Sequence, residues 1–300
     1  MNVDYAESSK QALPIPAAPA RPGKWRTFYR KLRKNKMAMV GGAIIVVYVL
    51  TALFGPLFTT HDPFLVDLPN KLKPPSAEHW LGTDDKGRDM LSRIILGARL
   101  SMGVGFVAVL IGAVCGTVLG LLAGYYGKWT DTIIMRVIDI LLAFPGILLA
   151  LAIVSALGPS LVNVMIAIGA FSVPMFARIA RGSALTVKKL EYIDAIRSLG
   201  SSDLRIICLH IFPNITSPLI VQATLRLATA ILTAAGLSFL GLGAQPPLPE
   251  WGAMLSSGRD FLFTQPQLAL YPGLAISMLV IAFNVFGDGL RDALDPRMKH

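Results

Sequence analysis

The stretch Ile140-Leu-Leu-Ala-Phe-Pro145-Gly-Ile-Leu-Leu-Ala150-Leu-Ala-Ile-Val-Ser155-Ala-Leu-Gly158-Pro159-Ser-Leu-Val-Asn163-Val-Met-Ile-Ala-Ile-Gly-Ala-Phe-Ser-Val-Pro174-Met-Phe-Ala177 carries no charged side chain over 38 residues. About 20 apolar residues suffice for a helix to cross a bilayer, so this run is too long for one crossing and long enough for two. Gly158-Pro159 divides it. In hydrocarbon every backbone N–H and C=O must be bonded internally, and runs of this length fit helices and not strands. The stretch therefore predicts an all-α polytopic membrane fold and supplies its third and fourth spans.

Other uncharged runs complete the set. Met37 to Thr60 reads as the first span and Leu100 to Gly127 as the second. The fifth runs roughly from Pro218 to Gly241, with Arg226 inside it. The sixth lies within Phe261 to Gly287. Six helices result, with no internal repeat. Composition agrees: of 300 residues, 54% are hydrophobic and 15% charged, where a soluble domain has about 25% charged. Mean hydropathy is +0.59. These values exclude a typical soluble enzyme, a disordered chain and a disulfide scaffold. Of the two cysteines, Cys115 falls in an apolar stretch and Cys208 in a polar loop, so no disulfide is expected.

The net charge of +10 has a local cause. Eight Lys/Arg and no acid lie between Arg21 and Lys36. A basic block beside the first apolar run places the N-terminus in the cytoplasm. No basic face remains elsewhere for nucleic acid. Six crossings return the C-terminus to the cytoplasm and make the loop from Arg178 to Ser217 internal, where six Lys/Arg outnumber three acids. The loop from Ala244 to Leu268 is external, and so is the segment from His61 to Arg99. The predicted organisation is a disordered cytoplasmic tail over 1–20, a basic juxtamembrane segment over 21–36, and a first span with its external segment over 37–99. A core of five spans follows over 100–290, then a cytoplasmic tail over 291–300. The first apolar run lacks a small-residue cleavage pattern and reads as a retained span.

Within the internal loop, Glu191-Tyr-Ile-Asp-Ala-Ile-Arg-Ser-Leu-Gly200-Ser-Ser-Asp-Leu-Arg-Ile-Ile-Cys-Leu-His-Ile-Phe-Pro213-Asn has no run long enough to cross. Yet Ile193, Ile196, Leu204, Ile207 and Ile211 keep a helical period. Gly200 suits a helix end. Ser201 or Ser202 suits a cap, and Asp203 suits the first turn of the next helix. Pro213 marks a turn back towards the membrane. The expectation is two short amphipathic helices at a bend, Glu191, Asp194, Ala195, Leu204 and Arg205 among their residues. Such a bend reads either as a membrane-surface element or as a docking lever for a partner.

Gly112, Gly116, Gly120 and Gly124 share one face of the second span. The groove they leave suits close helix packing, with a substrate passage as the alternative. Arg226 is a functional candidate because a central Arg costs about 2.5–3.5 kcal/mol on insertion scales. It lines a pathway and meets a carboxylate, or it pairs with an acid or backbone carbonyls of a neighbour. Gln222, Asn163 and Asn284 are weaker pathway candidates that also suit bonds between helices. Asp139 follows Arg136 by three residues and suits a pair on one face. The external Asp84-Asp85-Lys86-Gly87-Arg88-Asp89 run reads as a solvated face or a docking site. Spacing gives no catalytic residues and no metal ligands: the histidines at 61, 79, 210 and 300 are never within one turn, and His-Glu-x-x-His and Gly-x-Ser-x-Gly are absent.

The internal stretch resembles the EAA loop of binding-protein-dependent ABC importer permeases. Asp194-Ala195-Ile196 takes the place of the acidic-Ala-Ala triplet, Gly200 that of the glycine, and Phe212-Pro213 that of Leu-Pro. His79-Trp-Leu-Gly-Thr-Asp-Asp-Lys-Gly-Arg-Asp-Met-Leu-Ser-Arg, continuing to Gly97-Ala-Arg-Leu-Ser101, resembles the external segment of dipeptide and oligopeptide permeases. Ser238-Phe-Leu-Gly-Leu-Gly-Ala-Gln-Pro-Pro-Leu-Pro-Glu-Trp-Gly-Ala-Met-Leu255 and Phe283-Asn-Val-Phe-Gly-Asp-Gly-Leu-Arg-Asp-Ala-Leu-Asp-Pro-Arg297 resemble the same proteins. The likeness covers about residues 25 to 300 and is to the second permease of the pair.

That resemblance implies a second homologous permease subunit, two ATP-binding subunits that hold ATP and Mg, and an extracytoplasmic substrate-binding protein. It implies a prokaryotic cytoplasmic (inner) membrane and a peptide substrate of the dipeptide, oligopeptide or glutathione class, with nickel or another small solute as the alternative. This chain has no Gly-x4-Gly-Lys-Ser/Thr sequence to cradle phosphates, so no cofactor is expected in it and its energy comes from a partner. A stand-alone secondary transporter is the rival reading, with breaks at Pro145-Gly146 and Pro174 but few acids inside the spans. A structural membrane anchor is a third.

Overall fold

The computed structural model describes residues 24–294. The expected tail over 1–20, the first basic residues and the end of the C-terminal tail lie outside the described residues. Within them the fold is helical, as predicted, and contains no strand. Helix α1, Lys24–Lys34, carries the basic block. Asn35 ends it and caps α2, Lys36–Phe58, by accepting from the Ala38 N–H. Among the described residues five helices are long and apolar enough to cross a membrane: α2; α3, Met90–Tyr126; α6, Leu161–Lys188; the continuous helix Asp203–Phe239; and α11, Gln267–Leu294.

Between α3 and α6 the chain forms a broken pair, α4 (Lys128–Ala143) and α5 (Gly146–Leu157), bent by 90°. The third span was expected as one helix from Ile140. Pro145 overrides that reading. It forces Phe144 into extended backbone (φ −94°, ψ 136°) and cannot continue α4. Gly158, at φ +90°, then closes α5 where the sequence placed the division.

The glycine face settles the path of this pair. Gly112 meets Ser172, Gly116 meets Phe176, Gly120 meets Ala180 and Gly124 meets Ala184. A constant offset of 60 residues means that α3 and α6 lie side by side and parallel. The α4–α5 pair must therefore carry the chain back along that contact before α6 begins. With the pair taken as one span, the described residues hold six.

Three boundaries depart from the sequence reading. The second span starts at Met90, not Leu100, because Asp89 caps it by accepting from the Ser92 N–H at 2.8 Å. Arg93 and Arg99 then ride within the helix, where an uncharged-run rule stops short. At the fifth span, α8 (Asp203–Arg205) runs through a π-helical turn, Ile206–Ile211, into α9 (Phe212–Phe239) without a break. Pro213 and Pro218 were expected to mark the return and the span's start. Instead Pro213 sits in the first turn of α9. The wide turn lets the Phe212 N–H reach Ile207, and a proline has no N–H to miss there. Lastly, residues 291–294 of the predicted tail belong to α11.

The external segment also departs from expectation. In the 84–89 run, Asp84, Arg88 and Asp89 are buried. Asp84 accepts from Arg88 Nε at 2.7 Å and lies 3.4 Å from Arg93 Nε, whose Nη1 donates to the Pro63 carbonyl. The run is an internal ion knot and not a solvated face, because its charges neutralise one another within the fold. Beside it, α10 (Trp251–Gly258) is capped by the buried Glu250, which also accepts from Ser101 on α3. Trp251 fills the space that Gly97 leaves.

Candidate functional site

The internal bend begins at α7, Glu191–Ser198, which follows α6 after a two-residue turn. Its end is built for a glycine. Gly200 has φ +83°, the Ser201 N–H donates back to Ile196 and the Gly200 N–H to Arg197. This six-to-one and five-to-two pair is the Schellman arrangement. Ser202, in extended backbone, then starts α8, although its hydroxyl makes no capping bond. On the inner side of the bend Ile193, Ile206, Ile207 and Ile211 are buried. Glu191, Asp194, Ala195, Leu204, Arg205 and Pro213 are exposed and Ser201 is half-buried. Asp194 pairs with Arg197 at 3.2 Å in solvent. Leu199 and Leu204, 86% and 72% exposed, crown the bend with apolar surface.

One side chain ties this bend to the spans. Tyr125, at the end of α3, is buried and donates its hydroxyl to Asp203 Oδ1 at 2.6 Å. The Arg197 guanidinium lies 5.8 Å from its ring centroid and Lys188 Nζ 5.4 Å. Lys188 also donates to the Tyr125 carbonyl. Four elements (α3, α6, α7 and α8) thus converge on Tyr125. Contact with the Tyr125 hydroxyl raises the Arg197 guanidinium above its ordinary value, so that group is a fixed cation. Sequence reasoning missed Tyr125, Lys188 and Arg197. A lone Tyr-Tyr pair at the end of an apolar run was the one available signal.

A second constellation lies on facing helices. Arg226 on α9 donates from Nε to Ser172 Oγ at 3.2 Å and covers the Phe171 ring at 4.6 Å. Ser172 in turn donates to the Ile168 carbonyl. The expected acid or carbonyl partner is not what Arg226 finds; a hydroxyl and a ring face take that place, leaving most of its five donors unengaged among the described residues. Gln222 is half-buried one turn earlier on α9, and Asn284 is exposed on α11. Asn163 donates its amide to the Leu157 and Gly158 carbonyls, closing the α5–α6 turn. Gly112, Gly116, Gly120 and Gly124 line the face of α3 that packs on α6, and Gly112 meets Ser172 itself. A methyl carbon added at Gly116 would lie 2.5 Å from the Val173 carbonyl oxygen. The groove is filled by α6 and leaves no passage.

The first arm of the broken pair, α4, is tied separately. Arg181 grips Asp131 with two bonds, at 2.5 and 2.6 Å. Asp139 pairs with Arg178 at 2.6 Å. Its expected partner, Arg136, is displaced because α6 brings a guanidinium alongside.

Comparisons with known proteins follow the same outline. Residues 116–300 match the model of the binding-protein-dependent transport system inner membrane component, and residues 23–75 match the N-terminal TM domain of oligopeptide transport permease C. The chain is 54% identical over 275 residues to the dipeptide transport system permease protein DppC of Alkalihalophilus pseudofirmus, covering 92% of this chain and 90% of that one. It is 47% identical to the glutathione transport system permease protein GsiD of Pectobacterium atrosepticum, covering 92% of each. Among solved structures, an inward-facing MetNI methionine ABC transporter chain aligns with a TM-score of 0.54 at 19% identity, over 69% of this chain and 98% of that one. That likeness concerns the fold.

Proposed function

The chain belongs to the family of binding-protein-dependent transport system inner membrane components, and we propose that it is the second permease of a peptide-class ABC importer in a prokaryotic inner membrane. Its relatives named for dipeptide and for glutathione transport both point to substrates with a peptide carboxylate. It works beside a second homologous permease. Two ATP-binding subunits holding ATP and Mg sit on its cytoplasmic face, and an extracytoplasmic binding protein delivers substrate. The chain itself is no enzyme, and its sequence offers no phosphate-cradling loop.

The bend at Leu199–Leu204 carries this reading. Its apolar crown is exposed, while its base is locked to the ends of α3 and α6 through Tyr125. A push on the crown reaches α3, α6 and α9 as one body. Because α8 continues into α9 without a hinge, ATP-driven closure of the partners tilts a whole span and switches the pathway between inward-facing and outward-facing states. Glu191, Asp194, Ala195, Gly200, Ser201, Asp203, Leu204, Arg205 and Pro213 form this lever, and Arg226, with Gln222, Asn163 and Asn284 less directly, faces the pathway.

The test is uptake and ATP hydrolysis by the reconstituted importer. Leu204→Glu, Asp194→Arg and Gly200→Val should each leave insertion intact but cut substrate uptake at least tenfold relative to ATP hydrolysed. If ATPase association and uptake both survive these changes, the lever assignment is wrong.

A further inference from the structure

His61 and His79 are 18 residues apart in sequence, and no spacing rule links them. Folding brings them together. Their ring centroids lie 4.6 Å apart, and one ligand atom each from His61, Glu78 and His79 falls within 4.8 Å of the other two. We propose that these three side chains form a binding site for a borderline divalent transition ion such as Zn²⁺.

Donor chemistry comes first. Two imidazoles and one carboxylate are a set that zinc accepts, leaving a fourth position open. Hard ions such as Mg²⁺ prefer oxygen ligands and a six-coordinate shell. Support behind the ligands points the same way. His79 is buried, and its Nδ1 lies 3.0 Å from Asp89 Oδ1. A carboxylate there accepts a hydrogen bond from Nδ1–H and so leaves the Nε2 lone pair for a metal, the arrangement that orients most metal-bound histidines. His61 Nδ1 is likewise engaged, 2.9 Å from Thr60 Oγ1. Neither contact uses Nε2.

Backbone rigidity adds to this. The Ser76 N–H donates to the His79 carbonyl at 2.8 Å, the His79 N–H to Ser76 Oγ at 3.0 Å and the Gly82 N–H to the His79 carbonyl at 2.9 Å. Glu78 and His79 therefore sit on a pinned turn, and Asp89 is itself fixed as the cap of α3. Ligand atoms of a tetrahedral zinc site are about 3.4 Å apart, so the set has to close by no more than about 1.4 Å. Rotation of the exposed Glu78 and half-buried His61 supplies that. Since His61 follows the last turn of α2 and His79 precedes α3, a bound ion would staple the segment that joins them.

The experiment uses the full-length chain in lipid nanodiscs, without a polyhistidine tag, and titrates Zn²⁺ against a chromophoric chelator. One ion per chain is expected, with a rise in thermal midpoint on binding. His61→Ala and Glu78→Gln should each weaken binding at least tenfold. Asp89→Asn, which keeps the α3 cap, should weaken it about tenfold through the lost support. His210→Ala, at the opposite end of the molecule, should change nothing. Absence of binding, or equal binding by the parent and by His61→Ala and Glu78→Gln, would overturn the proposal. Either result leaves the transport reading untouched, because no step of it passes through this site.

Discussion

Arg226 and Tyr125 show how differently single residues announce themselves. Arg226 is legible because a lone guanidinium in an apolar run has to be accounted for. Its partners were not legible: Phe171 and Ser172 lie 54 and more residues away and are ordinary members of another apolar run. With a ring beneath it and one donor on a hydroxyl, Arg226 is oriented without being neutralised. Arg226→Gln should therefore leave assembly intact and lower uptake of a carboxylate-bearing substrate by tenfold or more, chiefly through KM. Arg226→Lys should recover part of the loss, since it restores charge but not the planar fork. Unchanged uptake in the Gln variant would remove Arg226 from the pathway. Tyr125 carries the opposite lesson. Its hydroxyl matters only because Asp203, 78 residues on, folds back to meet it. Tyr125→Phe keeps the ring beside its two cations and removes the hydroxyl's contact with Arg197 and its bond to Asp203, the latter worth about 1 kcal/mol at a solvent-exposed carboxylate. The expected result is a modest drop in thermal midpoint and a larger drop in uptake per ATP, because the lever loosens while the spans still pack.

At the scale of elements, the glycine face of α3 and the division at Gly158-Pro159 were visible in the sequence, whereas the right-angle bend within the third span was not. A four-residue glycine period says that a backbone approaches, but only the fold says which one. Prolines misled in both directions. Pro145, offered as a break only under the rival transporter reading, does break its helix, and Pro213 fails to break one, because a π turn absorbs its missing donor. Their local sequences do not separate these outcomes; the packing of α7 and α9 around Ile206 and Ile211 does. The glycines lend themselves to a paired test. Gly120→Val would drive methyl groups into the Ala177 carbonyl and Ala180, and overpacking of this kind costs about 1–3 kcal/mol. Gly103 on the same helix has nothing within 4 Å of an added carbon. Gly103→Ala should be neutral or stabilise by about 0.5–1 kcal/mol through helix propensity. Thermal unfolding in detergent distinguishes them: a similar small shift for both would mean that α3 and α6 are not in close contact.

Across the whole molecule, parity of crossings ties the charges to the fold. The basic block in α1 and the basic loop at α7 belong on one side of the membrane. Between them lie α2, α3, the α4–α5 pair and α6. An even count is required, so the broken pair must cross, and the constant 60-residue offset between α3 and α6 demands the same return by geometry alone. Two independent arguments, one from charge and one from packing, thus agree on a pair whose arms, 16 and 12 residues long, are each too short to cross upright. Sidedness is open to direct measurement. Leu199→Cys, at the crown of the bend, and Phe263→Cys, fully exposed after α10, are introduced singly after Cys115→Ser and Cys208→Ser. A membrane-impermeant thiol reagent should label Leu199→Cys only in inside-out vesicles and Phe263→Cys only in intact cells. A cysteine introduced at Tyr29, in the basic helix, should follow Leu199→Cys. Labelling of positions 29 and 199 from opposite sides would make the α4–α5 pair re-entrant. It would then reverse either the N-terminus or the lever, and with the lever reversed no cytoplasmic ATPase could reach it.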